Sequence, residues 1–599
     1  MQLRRPTPPP IEDYALIGDC GTAALVAKDG SIDWLCWPRF DSNACLSALL
    51  GTPENGRFHV APAGGGNARF RRYRDATMIL ESTFGSESGE VMLVDFMVPH
   101  APQGTLVRVV EGVSGTVEMR MELALRFDFG QSIPWVTKRQ GGNGIVAISG
   151  PDMVVLRTNV ELRGEDMTTV SDFTVSAGER VTFVLTHCPS HLPVPLSYDP
   201  ADALYQTELF WRNWSARSGY SGEWGDYVQR SLLTLKALTF AETGGIVAAP
   251  TTSLPEELGG VRNWDYRFCW LRDASLTLFA FMVAGYYEES SAWSSWLQRS
   301  AAGSPDQMQI MYGIAGERRL EEWTVDELAG YQGARPVRIG NAAAKQRQLD
   351  VYGEVCSALS QARRGNLLSD GEAWPLQRAL LQSLATFWRE PDSGMWETRG
   401  GAKQFTFSKV MCWMAFNRSI EDAEKHGLEA PLDEWRAARD KIHQMVCRDG
   451  FDAELNSFVQ VFGGKALDAT LLLIPVVGFL PGDDPRVLGT IDAVERTLIE
   501  DGFVLRYRTE TKEDGLPGRE GAFLACSFWL VQALHLAGRT EEARQRFEGL
   551  LGLVNDVGLL AEEYDPRSKR FTGNFPQAFS HVALVTTALM LHGVRAAET

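Results

Sequence analysis

The chain reads as two architectures in series: an N-terminal antiparallel β-sandwich, then a six-hairpin α/α toroid (an α/α barrel). Three observations predict this. Apolar and polar side chains alternate along residues 1–200, the period becomes helical from Gly225 onward, and the connections between the helical segments are long and short by turns. In a run of helical hairpins every second connection falls on the same face. The long connections should therefore gather at one end of the molecule.

At 599 residues the chain exceeds what one hydrophobic core organises, so more than one domain is expected. In the first part, TVEMRMELALRFDF (116–129) alternates as a half-buried strand does. VMLVDFMV (91–98), GIVAISGPDMVVLRTNVEL (144–162) and ERVTFVLTHC (179–188) behave likewise, punctuated by Gly, Asp and Asn. Many short strands with turn signals point to a large antiparallel sandwich. HLPVPLSYDPAD (191–202) ends it, and residues 201–224 form a helical linker built on ALYQTELFWRNWSAR (203–217).

Residues 225–599 form the second domain. Helical periodicity predicts segments at 226–243, 272–286, 288–302, 346–364, 371–390, 405–426, 431–448, 466–477, 485–500, 520–537, 540–553 and 577–594. The short links include GNLLSD (365–370) and AGRT (537–540). The long ones are 244–271, 303–345, 391–404, 449–465, 501–519 and 554–576. The competing arrangement is two unrelated helical bundles.

Charge narrows the function classes. With 76 acidic against 58 basic residues the formal net charge is −18, which argues against a nucleic-acid or anionic-membrane surface. The nine cysteines are scattered, form no CxxC pair and sit mostly in apolar runs, as buried thiols in a reducing compartment do. MQLRRPTPPPIEDY has two arginines followed by prolines, unlike a secretory signal, and no apolar run reaches 18 residues. A cytoplasmic protein is expected. Seventeen tryptophans, several in the long connections, suit flat amphipathic ligands such as sugars.

Three long connections carry the chemistry. NWDYRFCWLRD (263–273) brings Trp264, Trp270, Arg272 and Asp273 within ten residues. Asp273 is read most simply as a carboxylate favouring a helix N-terminus. It also fits a clamp in which carboxylate and guanidinium grip vicinal hydroxyls while Trp takes the sugar's C–H face. GMWETRG (394–400) sets Glu397 after Trp396 in a glycine-flanked loop. A carboxyl held against an aromatic ring and shielded from water stays protonated to higher pH and can serve as a general acid; otherwise Glu397 is a solvated surface residue. LAEEYDP (560–566) offers Glu562 and Glu563, which should point opposite ways, one into the pocket as general base and one to solvent. Glu520, beside Arg519 at a helix start, is the second choice for the base. There is no HExxH, GxSxG or GxxxxGK[ST], and no Gly-rich loop in a βαβ pattern. Two carboxylates with stacking aromatics make the constellation of a glycosidase, with no cofactor and no metal.

At these residues the chain resembles family-15 glycoside hydrolases, the family of glucoamylases and bacterial trehalases. IEDYALIGDCGTAALVAKDGSIDWLCWPRFDS (11–42) is similar to the opening of the trehalase-like N-terminal β domain. WLRDAS (270–275), YGIAGERRLEEW (312–323), GNAAAKQRQLDVYGEV (340–355), MWETRG (395–400), EGAFLACSFW (520–529), EEYDP (562–566) and GNFPQAFSHVAL (573–584) are similar to the catalytic domain. The resemblance implies inverting, exo-acting hydrolysis of α-glucosides from the non-reducing end, releasing β-D-glucose. It implies that Trp270, Arg272 and Asp273 grip the terminal glucose, that Trp396 packs on substrate, that Glu397 is the general acid and that Glu562, not Glu563, is the base. Trp264, Glu520 and Tyr312, which opens the YGIAGERRLEEW motif, join the substrate-binding set. Phe407 departs from the His of related bacterial members.

In such a scheme the two carboxyl groups stand about 6.5–9.5 Å apart, leaving room for the attacking water. The N-terminal block, the lack of an export signal and a chain that stops after the last helix without a carbohydrate-binding module favour trehalose over malto- and isomalto-oligosaccharides. A non-catalytic sugar-binding protein and an inverting phosphorylase are the rivals from other classes. The expected partner is a small-molecule carbohydrate, with no nucleic acid and no membrane; the sequence is compatible with a homo-oligomer. Connections 303–345 and 449–465 are the expected owners of substrate choice.

Overall fold

The structure, a computed structural model, describes residues 7–139, 143–367, 370–511 and 514–593. The arginines of the N-terminal segment, Leu368 and Ser369 of connection 365–370, Glu513 and the last residue of the expected helix 577–594 lie outside the described residues.

Residues Tyr14–Pro189 build an antiparallel network of fifteen strands. Its spine is the 20-residue strand Thr105–Ala124. The first half of the spine pairs with Gly89–Met97 and Arg180–Pro189, the second half with Arg57–Pro62 and Thr168–Ser176. The crossover lies at Gly112 and Gly115. A Cβ at Gly112 would sit 2.0 Å from the Ser176 carbonyl oxygen, and Gly115 has φ +62°, so both positions require glycine. Beyond them the expected alternation holds: Val117, Met119, Met121 and Leu123 are buried, while the residues between them are more exposed. Before them both faces are buried, because the helix α1 (Pro200–Ser215) covers the outer one. Ala203 of α1 packs into a cluster with Val94, Phe96, Val107, Val109 and Val184.

The helical part contains α2 (Gly225–Ala237), α3 (Leu271–Val283), α4 (Tyr287–Ala301), α5 (Asp350–Arg364), α6 (Asp370–Phe387), α7 (Thr406–His426), α8 (Leu432–Asp449), α9 (Leu473–Val476), α10 (Pro485–Leu498), α11 (Leu524–Leu536), α12 (Thr540–Leu551) and α13 (Ala578–Leu591). Helix α3 packs on α5, α5 on α7, α7 on the 3-10 turn Ala469–Leu472 that leads into α9, α9 on α11, α11 on α13, and α13 back on α3. The even-numbered helices each pack on a member of that series. Helices α11 and α13 are buried along nearly their whole length, as helices apolar on all sides must be. Each long connection runs into the N-terminus of a ring helix; each short one runs out of a ring helix.

Three helical expectations are corrected. Segment 226–243 is helical only to Ala237, after which Thr239 bridges to Ile246 as extended chain. Segment 466–477 is a 3-10 turn capped by Asp468, followed by a single α turn; Pro475 lacks the amide needed to extend it. Segment 520–537 begins as the strand Ala522–Phe523, because that strand pairs with Glu563–Asp565, and the helix starts only at Leu524.

The β part braces the long connections. Trp34 Nε1 donates to the Pro250 carbonyl at 2.8 Å and Arg267 Nη1 to the Ser42 carbonyl at 2.6 Å. Arg71 makes a bidentate pair with Asp556 at 3.0 and 2.7 Å. Among the described residues no helix is long and apolar enough to cross a membrane.

Candidate active site

The connections that lead into α3, α5, α7 and α11 meet around one small pocket. Beside it, next to Glu397, lies Arg272 in the first turn of α3. Its Nε donates to Asp273 Oδ1 at 2.8 Å, its Nη1 to the Met395 carbonyl at 2.8 Å, and the same Nη1 lies 3.5 Å from Glu397 Oε1. The guanidinium rests over the Phe579 ring of α13, 5.2 Å from its centre. One arginine thus joins α3, α13 and the connection before α7. Burial raises the Asp273 carboxyl above the ordinary range, and Arg272 opposes the shift.

Glu397 is held by Trp270, whose Nε1 donates to Oε1 at 3.2 Å. Its backbone has φ +50°, an uncommon conformation for a residue with a side chain and one that marks a site held in place by its surroundings. The Gln346 side chain supplies part of that hold by donating to the Glu397 carbonyl at 3.2 Å. Burial pushes the Glu397 carboxyl up, Arg272 draws it down and Asp273 pushes it up again. The carboxyl therefore keeps its proton to higher pH than an ordinary glutamate. Trp396 is fixed by its Nε1 bond to Asp468 Oδ2 at 3.2 Å and by edge contact with Phe523.

Glu562 comes from the connection before α13. It is fully buried, its Oε2 accepts from the Asn574 amide at 2.9 Å, and Oε1 makes no hydrogen bond of normal geometry among the described residues. Gly573 makes room for it: a Cβ there would come within 2.5 Å of Glu562 Oε2. Burial first, then the charge of Glu256, pushes the Glu562 carboxyl up to about 8, against Arg506, the Asn574 amide and the Tyr266 hydroxyl. Tyr266 lies within electrostatic reach of both carboxylates. Its ring meets Trp270 edge-on at 5.1 Å, and its own pKa is raised by burial and then by Glu562, Glu256 and Glu397.

Behind this pair is a buried ion network. Arg506 Nη2 lies 3.1 Å from Glu256, 2.7 Å from Glu520 and 3.5 Å from Glu563. Arg262 pairs with Glu520 at 3.0 Å and Asp514 at 2.6 Å. Glu256, Glu520 and Glu563 bring carboxylate oxygens within 4.8 Å of one another, a spacing that could hold a metal ion. The Arg506 guanidinium already supplies positive charge at that point, and a second cation there would be repelled.

The structure brings together Trp270, Arg272, Asp273, Trp396 and Glu397, with Glu562 linked through Tyr266. Trp264 borders the same pocket, with the guanidinium groups of Arg338 and Arg399 over its ring, 4.5 and 4.6 Å from its centre. Tyr312 does not reach the pocket. It is fully buried on the strand paired with Cys269–Trp270, and its hydroxyl accepts from the Gln309 amide. Glu520 is engaged by two arginines and so is not a free base. Glu563 does not face solvent as expected: it is fully buried and accepts from the Gly521 amide at 2.8 Å, because the strand it opens is covered on both sides. Connection 449–465 is absent from the lining; Arg506, Tyr507 and Leu516 of 501–519 take that place, with Asn341 and Ala343 from 303–345.

Sequence reasoning passed over Tyr266, Glu256 and Arg506. Tyr266 stood inside a quoted motif, and its neighbours carried the signal. Glu256 and Arg506 belong to no local pattern, and only their convergence from connections some 250 residues apart marks them.

The model of the family described as Glycosyl hydrolases family 15 matches residues 222–589, and that described as Trehalase-like, N-terminal matches residues 3–186. The chain is 38% identical over 626 aligned residues to a protein named Trehalase from Mycobacterium tuberculosis, covering 100% of this chain and 91% of that protein. It is 35% identical over 589 residues to one named Trehalase from Thermoplasma volcanium, covering 97% and 93%. Among solved structures it is similar to a bacterial glucoamylase complexed with acarbose, with TM-score 0.75 at 12% identity, covering 100% of this chain and 96% of that one. At that identity the likeness is one of fold.

Proposed function

The chain belongs to glycosyl hydrolases family 15, and from that premise we propose that it is an inverting, exo-acting α-glucoside hydrolase whose substrate is trehalose. It is a glycoside hydrolase. Arg272 and Asp273 hold hydroxyls of the terminal glucose, and Trp270 and Trp396 enclose its ring. Glu397 gives its proton to the glycosidic oxygen as that bond breaks. Glu562 takes a proton from a water whose oxygen bonds to the anomeric carbon on the opposite face. Water is consumed, and one β-D-glucose and the leaving sugar are released.

The observation that carries this reading is the pair of unlike carboxyls around Tyr266. Glu397 is held by Trp270 and Arg272, whereas Glu562 is fully buried and one of its oxygens makes no hydrogen bond of normal geometry among the described residues. The trehalose assignment is supported by the relatives named trehalase, which align over nearly the whole chain. We read the ring of odd-numbered helices from α3 to α13, with α2 and the later even-numbered helices outside it, as a six-hairpin α/α toroid. In this reading residues 225–599 are the catalytic domain, 1–200 the β-sandwich that braces it and 201–224 the linker. A cytoplasmic setting is supported by nine cysteines that all remain unpaired.

The test is glucose release from trehalose, maltose, isomaltose and starch, with the first-formed anomer read by proton NMR. Trehalose should be cleaved with the highest kcat/KM, and β-glucose should appear before mutarotation. α-Glucose as first product would sink the inverting scheme, and a preference for starch would sink the trehalose assignment.

A further inference from the structure

A second cavity lies among the odd-numbered helices and shares no lining residue with the catalytic pocket. It takes side chains from α3, α5, α7, α9, α11 and α13. Along α7 these are Phe407, Met411, Met414 and Arg418, and along α5 they are Glu354, Ser357 and Gln361, each set spaced as one face of a helix. At a rise of ~1.5 Å per residue, Phe407 and Arg418 lie about 16 Å apart along α7, so the cavity is a channel running with the helices.

Its inner end is formed by Met395, Phe407 and Phe579. Two of these hold Arg272, which donates to the Met395 carbonyl at 2.8 Å and lies over the Phe579 ring. At the other end the lining turns polar, at Gln361, Arg418 and Thr586, all half-buried. Most of the wall between is apolar, with Phe279, Met411, Met414, Val582 and Met590 among its members. The space measures about 110 Å³, of the same order as dry engineered cavities that take up benzene.

Glu354 is the one carboxyl in this lining. It is 7% exposed and makes no hydrogen bond or ion pair among the described residues. Burial first, then the charge of Asp350, pushes its carboxyl up to about 8, against Arg272. At neutral pH it therefore stands mainly as an O–H donor in apolar surroundings. A buried donor without an acceptor is destabilising, and a Leu or Met at this position would complete the wall without that cost.

We propose that the channel is a binding site, separate from the catalytic pocket, for a small apolar molecule carrying one hydrogen-bond acceptor, a phenol or alcohol of about one ring. Its oxygen accepts from Glu354, and its body lies among the Met and Phe side chains. Methionines suit such a role, because their flexible thioethers repack around an occupant. A sugar does not fit this lining: it carries a hydroxyl on most of its carbons, and the apolar walls would leave them unmatched.

The test measures binding of phenol and of its isostere toluene by titration calorimetry. The proteins are the full chain, Glu354→Gln, which keeps a donor, and Glu354→Leu, which removes it. Phenol should bind with the lower Kd in the wild type and in Glu354→Gln. In Glu354→Leu the ratio of the toluene Kd to the phenol Kd should fall by roughly tenfold, the worth of one buried hydrogen bond. Ser357→Phe, which fills the channel, should abolish binding of both; if circular dichroism shows that it does not fold, the two Glu354 variants decide alone. Absence of saturable binding in the wild type, a ratio unmoved in Glu354→Leu, or full binding in a folded Ser357→Phe would overturn the proposal.

Discussion

Replacing Glu397 by Gln removes one proton and little else. The Gln carbonyl oxygen can still accept from Trp270 Nε1, at 3.2 Å in the native site, and from Arg272 Nη1, at 3.5 Å, so the strained loop at φ +50° keeps its anchors. What disappears is the O–H that protonates the departing oxygen. General-acid assistance contributes about 10²–10⁴ in rate, or about 3–5 kcal/mol of barrier, and turnover of trehalose should fall by that factor with KM changed much less. The control is α-glucosyl fluoride, since fluoride departs without a proton; there the loss should shrink to within about tenfold. Glu562→Gln should lose turnover on both substrates, because the water attack still needs a base. A third readout is the pH profile. An acid works only while protonated, so rate falls as pH rises through the Glu397 pKa. Burial raises that pKa, so the alkaline limb should lie above the usual carboxylate range and vanish in Glu397→Gln. Retention of trehalose turnover within tenfold, or an equal loss on the fluoride, would refute the assignment of Glu397 as acid.

Two further perturbations test how the surroundings set the site. The base works only when deprotonated, so the acid limb of kcat/KM follows Glu562, which burial and then Glu256 raise; Glu256→Gln should move that limb to lower pH, and a limb that stays put or moves up would show that Glu256 does not act on the base. Arg108→Ala in the β part should cost about 3–5 kcal/mol in denaturant unfolding, because it strands the fully buried Asp95 and two carbonyl acceptors, those of Phe58 and Gly30; a loss under about 1 kcal/mol would mean that water reaches the pair.

What could be read from the sequence had a local signature. The alternation in 116–129 survives as buried Val117, Met119, Met121 and Leu123, since a strand with one covered face must repeat every second residue. Alternating long and short connections place Arg272, Glu397 and Glu562 on one side because each leads into a ring helix from the same end. Positions decided by long-range partners were not legible. By residue type Glu562 and Glu563 are equivalent; apart from the family resemblance, they are told apart by which amide each meets, that of Asn574 or that of Gly521. Tyr312 looked like a loop aromatic but serves the core, packed edge-on against Trp296 at 6.1 Å. The owner of the pocket's outer wall was missed for the same reason. Leu516, which lines the pocket, sits in a polar, glycine-rich stretch with no motif, and its segment is held by Asp514 meeting Arg262 across some 250 residues.

The two carboxylates differ in depth, and an exo-acting inverting reaction requires that difference. The Glu397 side chain is 21% exposed, whereas Glu562 is entirely covered. A glucosyl unit that enters a closed-ended pocket points its leaving group back toward the mouth, so the residue that protonates the leaving oxygen belongs near the mouth. The attacking water must come from the opposite face of the anomeric carbon, and its base, Glu562, lies where bulk solvent does not reach. Sealing has a consequence for charge. A carboxylate without solvent is driven toward its neutral form, and Glu562 would be lost as a base if nothing opposed this. Arg506 is the group placed to do so, drawing Glu562 down while it neutralises Glu256, Glu520 and Glu563. The buried network behind the pocket thus allows a base to work at a depth that excludes solvent.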